Sequence, residues 1–167
     1  SAADTLTGGG GSDSLRGGGG NDVFVFSSDS ELAADSRVDG GGGTDTIKMN
    51  SGTTALTLED ADFTKVIGVE TLELAGTGPH SVTLGAEVSA AFVSGLTIKT
   101  QASAASLNLQ GSDSTVAIDV TGTDQNDTLV GGAASDTITG APVAMASAAG
   151  RPKPSKREAE TNTPARR

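Results

Sequence analysis

Six aspartates recur in phase with glycines. Asp4, Asp13 and Asp22 lie nine residues apart, Asp45 follows, and Asp127 and Asp136 are again nine apart. Around them runs a nonapeptide, G-G-x-G-x-D-x-U-x, in which U is a large apolar residue. It reads GGGGSDSLR from Gly8, GGGGNDVFV from Gly17, GGGGTDTIK from Gly40, GTDQNDTLV from Gly122 and GGAASDTIT from Gly131. The opening SAADTLT keeps the last seven positions of a further copy. Glycines at positions one, two and four permit positive φ, so six residues can make a tight turn whose carbonyls converge. The aspartate at position six adds a short carboxylate. A cage of hard oxygens of this kind suits Ca²⁺.

The candidate ligands are therefore Asp4; Gly8, Gly9, Gly11 and Asp13; Gly17, Gly18, Gly20 and Asp22; and Gly40, Gly41, Gly43 and Asp45. Near the C-terminus they are Gly122, Asp124 and Asp127, then Gly131, Gly132 and Asp136. The C-terminal copies are degraded, with Thr123 and Gln125 in glycine positions and Ala134 in another; Asp124 and Asn126 add oxygens that could compensate. Positions seven to nine, such as Ser14-Leu15-Arg16, make a brief strand with one apolar side chain turned inward. Glycine tracts also serve as flexible linkers, but a linker has no reason to hold Asp and a large apolar residue at fixed phase. A phosphate-binding glycine loop lacks its lysine here.

The nonapeptide resembles the calcium-binding repeat of the RTX (repeats-in-toxin) family of exported bacterial proteins, and its copies cover about a third of the chain. The resemblance implies a parallel β-roll in which two turns and two strands close a coil of about 18 residues. It also implies that stacked turns share each ion. On that pattern Asp4 and Asp22 lie on one side of the roll and Asp13 on the other.

Composition agrees with an extracellular setting. The 167 residues include no cysteine, tryptophan or tyrosine and four phenylalanines, so the core must be aliphatic and metal must do what disulfides do elsewhere. Residues 1–140 carry a net charge of −14 and residues 141–167 one of +4. An acidic body of this kind repels itself without cations, which links metal binding to folding. It is a poor partner for nucleic acid. No stretch reads as a signal peptide or a membrane span; the chain opens inside a repeat, as a piece of a longer protein would.

The expected architecture is all-β, a parallel β-roll or β-solenoid with calcium-binding Gly-Asp turns and a disordered C-terminal tail. Residues 1–50 form an N-terminal calcium roll whose phase breaks in a surface loop at 27–38. There Ser28 and Glu31 could cap a single helical turn, and Glu31 occupies the slot of the next aspartate. Val23–Phe26, the most apolar run, is expected to seal the end of the stack. Residues 51–120 keep a strand rhythm without metal loops, in pairs such as Leu56/Leu58, Leu72/Leu74, Leu96/Ile98 and Leu107/Leu109. This reads as a metal-free solenoid spacer, with an antiparallel sandwich as the alternative. Short helical turns fit Leu58–Ile67, with Leu58, Phe63, Val66 and Ile67 on one side, and Gly85–Phe92. The run DADFTKVIGVETLELAG is similar to spacers in bacterial surface-layer and large exported RTX proteins. Residues 121–141 return to the roll, and 142–167, rich in Ala, Pro and Arg, should be disordered.

Catalytic chemistry finds little support. The single histidine, His80, follows Gly78-Pro79 and reads as a turn residue, and no nucleophile elbow accompanies it. Glu70 and Glu73 fall on opposite faces of a strand, which disfavours paired acid-base work. The chain is expected to be no enzyme. Two functions follow from the resemblance. One is a calcium-dependent structural or adhesive segment of an exported surface protein, whose partners beyond calcium are cell-surface polysaccharide or like subunits. The other is the noncatalytic module of an exported protease, lipase or epimerase. Type I export uses a C-terminal signal in this family, and the basic, proline-containing end departs from that pattern.

Overall fold

The computed structural model describes residues 2–92, 94–101, 104–140 and 146–148. Among the described residues fifteen strands wind in one direction and every pairing between them is parallel. Successive coils stack into walls of hydrogen-bonded strands. The first wall has seven: β1 (Thr5–Leu6), β3 (Val23–Phe26), β5 (Thr46–Met49), β8 (Thr71–Leu74), β10 (Leu96–Thr100), β12 (Ile118–Thr121) and β14 (Thr137–Thr139). The strands are short because each coil needs only two or three inward side chains before the chain must turn.

Opposite this wall lie two others that do not continue each other. β2 (Ser14–Gly19), β4 (Arg37–Gly42) and β7 (Val66–Ile67) make the N-terminal one. β6 (Leu56–Leu58), β9 (His80–Thr83), β11 (Leu107–Gln110), β13 (Thr128–Val130) and β15 (Ala146–Ala148) make the other. The coil between β5 and β8 carries both β6 and β7, so it ends one wall and begins the next. It is three-sided where the coils at the two ends of the chain are two-sided.

Coil length tracks this change. In the seven-stranded wall Thr5 pairs with Val23, 18 residues on, and Val23 with Thr46, 23 on. Thr46 pairs with Thr71, 25 on, and Thr71 with Thr97, 26 on. Leu96 then pairs with Ile118, 22 on, and Asp119 with Thr137, 18 on. The extra residues in the middle go into α1 (Asp29–Ala34), a 3-10 turn (Asp60–Phe63) and α2 (Ala86–Ala91).

Inward residues of all walls meet in one aliphatic core. Phe24, Ile47, Leu72, Leu74, Leu107, Leu109 and Leu129 are buried as the alternation requires, while Leu6, Leu15 and Ile138 at the ends are partly buried against it. Phe63 and Phe92 meet edge to face, centroids 5.6 Å apart. The parallel pairing excludes the sandwich alternative for the middle.

Several expectations change. Val23–Phe26 does not seal the stack: β3 lies between β1 and β5, with Phe24 and Phe26 fully buried. The loop at 27–38 contains α1, capped by Ser28, whose Oγ accepts the Glu31 N–H while the Glu31 carboxylate accepts the Ser27 N–H. Ile67 points outward from β7 and is the exposed large apolar residue of the described chain. His80 is no turn residue: it opens β9 and is buried, since its strand position faces inward. Ala146–Ala148, inside the segment expected to be disordered, pairs with β13; the rest of that tail lies outside the described residues.

Candidate metal centre

The repeat turns sit on the edges where one wall gives way to the next. Gly17–Gly20 carries the chain from the end of β2 toward β3, and Gly40–Gly43 from the end of β4 toward β5, one coil further. The two turns stack directly, because Gly18 and Gly41, and Gly19 and Gly42, are register partners and the Gly20 N–H donates to the Gly42 carbonyl at 2.9 Å. Gly8–Gly11 lies on the other edge, where the next coil presents α1 and its cap.

Glycine serves two different ends in these turns. Positions two and four take positive φ: 80° and 122° at Gly9 and Gly11, 100° and 108° at Gly18 and Gly20, 98° and 137° at Gly41 and Gly43. Position one does not. There the missing Cβ makes room for the repeat's own carboxylate: a Cβ on Gly8 would stand 2.9 Å from Asp13 Oδ2, and one on Gly17 or Gly40 would collide with Asp22 or Asp45. Stacking adds a second constraint, since a Cβ on Gly41 would strike the Gly18 carbonyl and one on Gly43 the Gly20 carbonyl.

The Asp22 and Asp45 carboxylates are each fixed by the coil before them. Asp22 Oδ1 accepts the Asp4 N–H at 2.8 Å, and Asp45 Oδ1 accepts the Asp22 N–H at 2.7 Å. Glu70 Oε2 continues the ladder to the Asp45 N–H at 2.8 Å. The second oxygens differ. Oδ2 of Asp13, Asp22, Asp35 and Asp45 is buried with no hydrogen-bond partner among the described residues. Asp22 and Asp45 are entirely excluded from solvent. A buried carboxylate oxygen without a partner is strongly unfavourable, and a cation beside it removes the cost.

The donor set fits calcium. Among the described residues no three acidic, histidine or cysteine side chains cluster as a metal site. An ion here must therefore draw on main-chain carbonyls as well as carboxylates, the mixed hard-oxygen shell that Ca²⁺ accepts. Asp22 and Asp45 would supply the carboxylates, and the stacked glycine turns the carbonyls. The bound ion would supply positive charge between otherwise repelling groups.

The other edge and the far end behave differently. Asp13 gives its N–H to Asp35 Oδ1 at 3.0 Å, so the aspartate facing Asp13 is Asp35. Glu31, expected in that slot, is spent on the α1 cap, because the helix inserts residues ahead of β4. Burial, with the charges of Asp13 and Glu31 adding to it, raises the Asp35 pKa against the pull of its hydrogen bond from Asp13. Asp4 is exposed beside the chain start. Gly122 and Gly131 keep the position-one role, since a Cβ on either would collide with Asp127 or Asp136. Gly132, at position two of the last copy, does not take positive φ, and Asp124 is exposed.

Sequence reasoning missed Asp35, Glu70 and Thr123. Glu70 was legible in principle, as it precedes an apolar-alternating strand just as Asp22 and Asp45 do. His80 takes no part in the centre. Its Nε2 lies 3.1 Å from the Gly76 carbonyl, its Nδ1 is buried without a partner among the described residues, and burial lowers its pKa.

Comparison with known proteins agrees with this geometry. No curated protein and no solved structure matches the chain. A family model, the RTX calcium-binding nonapeptide repeat, matches in four copies over residues 1–30, 33–53 and 120–141. Those segments contain every in-phase aspartate and every positive-φ turn described above, and they are RTX calcium-binding repeats wound as a parallel β-roll.

Proposed function

We propose that this chain is a calcium-dependent structural or adhesive segment of an exported bacterial protein, one that folds when it meets calcium outside the cell. The observation that carries the reading is the pair Asp22 and Asp45, stacked on one edge with their Oδ2 atoms buried and unpartnered. At low calcium these carboxylates oppose closure of the N-terminal roll; in an extracellular medium the ion reverses the sign of that contribution. The middle, whose coils lack the Gly-Asp nonapeptide and include the three-sided one, supports a spacing role, because it extends the stack without those turns. Surface polysaccharide or like subunits are the partners suited to such a spacer. We assign the chain no catalytic role; the burial of its histidine ring at the start of β9, 3.1 Å from the Gly76 carbonyl, supports that reading.

The test is a calcium titration of the chelated chain followed by circular dichroism, with magnesium as competitor. Calcium should raise both β content and melting temperature. Magnesium should do so poorly, since it demands a small octahedral shell and keeps its waters. Equal β content and melting temperature with and without calcium would overturn the proposal.

A further inference from the structure

We infer that calcium gating is confined to the N-terminal roll, and that the two C-terminal repeats are closed by their own chain, with Thr123 acting where the N-terminal turns leave an oxygen for the ion. The inference rests on the calcium reading above and assigns it to one end of the molecule.

The contrast lies in the second carboxylate oxygen. At Asp22 and Asp45 it is buried and unpartnered. At Asp127 both oxygens are engaged: Oδ2 accepts the Thr123 N–H at 2.7 Å, and Oδ1 accepts the Thr123 hydroxyl at 2.8 Å and the Leu107 N–H at 2.7 Å. Asp136 is engaged likewise, by the Gly132 N–H at 2.8 Å and the Ile118 N–H at 2.9 Å. Backbone conformation at position two decides which case applies. Gly18 and Gly41 take positive φ, and their N–H groups make no bond to the repeat's carboxylate. A β-branched residue such as Thr123 avoids positive φ, and there the N–H turns into the cage. A cation entering would meet the positive ends of those donors and would have to displace three hydrogen bonds at Asp127.

The consequence is a directional device. Solenoid coils add to a neighbour that is already formed. The C-terminal half, complete without an ion, is the template, and the coils bearing Asp22 and Asp45 close onto it when calcium arrives.

The full chain tests this by calorimetric calcium titration and by amide exchange in chelator against calcium. Asp22→Asn and Asp45→Asn should each weaken calcium binding at least tenfold or remove an ion. Asp127→Asn and Asp136→Asn should leave the number of ions and their affinity unchanged. The Leu107 and Ile118 amides should be equally protected in both media, while the Asp22 amide gains at least tenfold protection with calcium. Should Asp127→Asn unfold its coil, Thr123→Val keeps the shape and removes only the hydroxyl. It should lower the melting temperature equally with and without calcium. Fewer ions bound by Asp127→Asn or Thr123→Val, or Leu107 protection that rises with calcium, overturns the inference and leaves the calcium reading standing. A wild-type chain that binds no calcium overturns both.

Discussion

The Asp22 N–H donates to Asp45 Oδ1 at 2.7 Å across one full coil, while both aspartates keep a second oxygen buried and unpartnered. One carboxylate thus does two tasks. Its first oxygen sets the register between coils, and its second awaits a cation.

Splitting those tasks gives a crossing prediction. Asp45→Asn keeps an acceptor for the Asp22 N–H and removes the charge. Without calcium the variant should melt at or above the wild-type temperature. With calcium it should fall below, because a site of about 10⁻⁴ M contributes about 1.5 kcal/mol at roughly 1–2 mM calcium. Paired thermal melts in chelator and calcium measure this. Equal destabilisation in both would show that the second oxygen plays no part in ion binding.

The four glycines of one turn should respond unequally to alanine. At Gly42 a Cβ meets nothing within 4 Å and φ is not positive, so Gly42→Ala should be neutral or stabilise by up to about 1 kcal/mol. Gly40→Ala strikes Asp45 and the Gly68 carbonyl, and Gly41→Ala combines φ of 98° with a collision at Gly18. Each should cost several kcal/mol, on the scale of overpacking and backbone strain together. Urea denaturation in calcium ranks them. A flat ranking would contradict the stacked-turn geometry.

Asp60 caps a helix that is not its own. Its carboxylate accepts the N–H groups of Gly85 at 2.8 Å, Glu87 at 3.2 Å and Val88 at 3.1 Å, where α2 has no capping side chain of its own. Asp60→Ala should cost about 0.5–2 kcal/mol. Exchange at the Val88 amide should accelerate with it. An unchanged stability would mean that α2 starts without help from the preceding coil.

His80 makes the middle of the solenoid sensitive to acid. Burial lowers its pKa below the ordinary histidine value, so the folded state favours the neutral ring. Its contribution is fully present above the unfolded pKa, about 6.5, and is lost as pH falls from there toward the folded value. The wild-type melting temperature should therefore drop between pH 7.5 and 5.5 by more than that of His80→Gln. Parallel curves for the two proteins would show that the ring stays neutral without cost or is reached by water.

The sequence by itself determined the repeat, its phase and the hard-oxygen chemistry of its turns. Only glycine tolerates the conformations at Gly18, Gly20, Gly41 and Gly43, only a short acid reaches back to position one, and a period of two in the apolar residues can only be strand. These are local constraints, written within nine residues. They placed Asp4 and Asp22 on one edge and the inward face of nearly every strand; that Asp45 stacks on Asp22 across a coil of 23 residues was decided by the tertiary structure.

Tertiary structure alone decided how coils of 18 to 26 residues keep one wall in register, because the extra residues are absorbed wherever a helix or turn finds a partner on the next coil. That is why Asp35 faces Asp13 from beyond an inserted helix, why Asp60 caps α2 from 25 residues away, and why β6 and β7 share one coil. It also decided that Asp127 is satisfied and Asp22 is not. The sequence marks the difference only as Thr123 and Gln125 in place of Gly18 and Gly20; whether an N–H points into a cage or away from it is set by the path of the whole turn, and that path is fixed only when neighbouring coils pack against it.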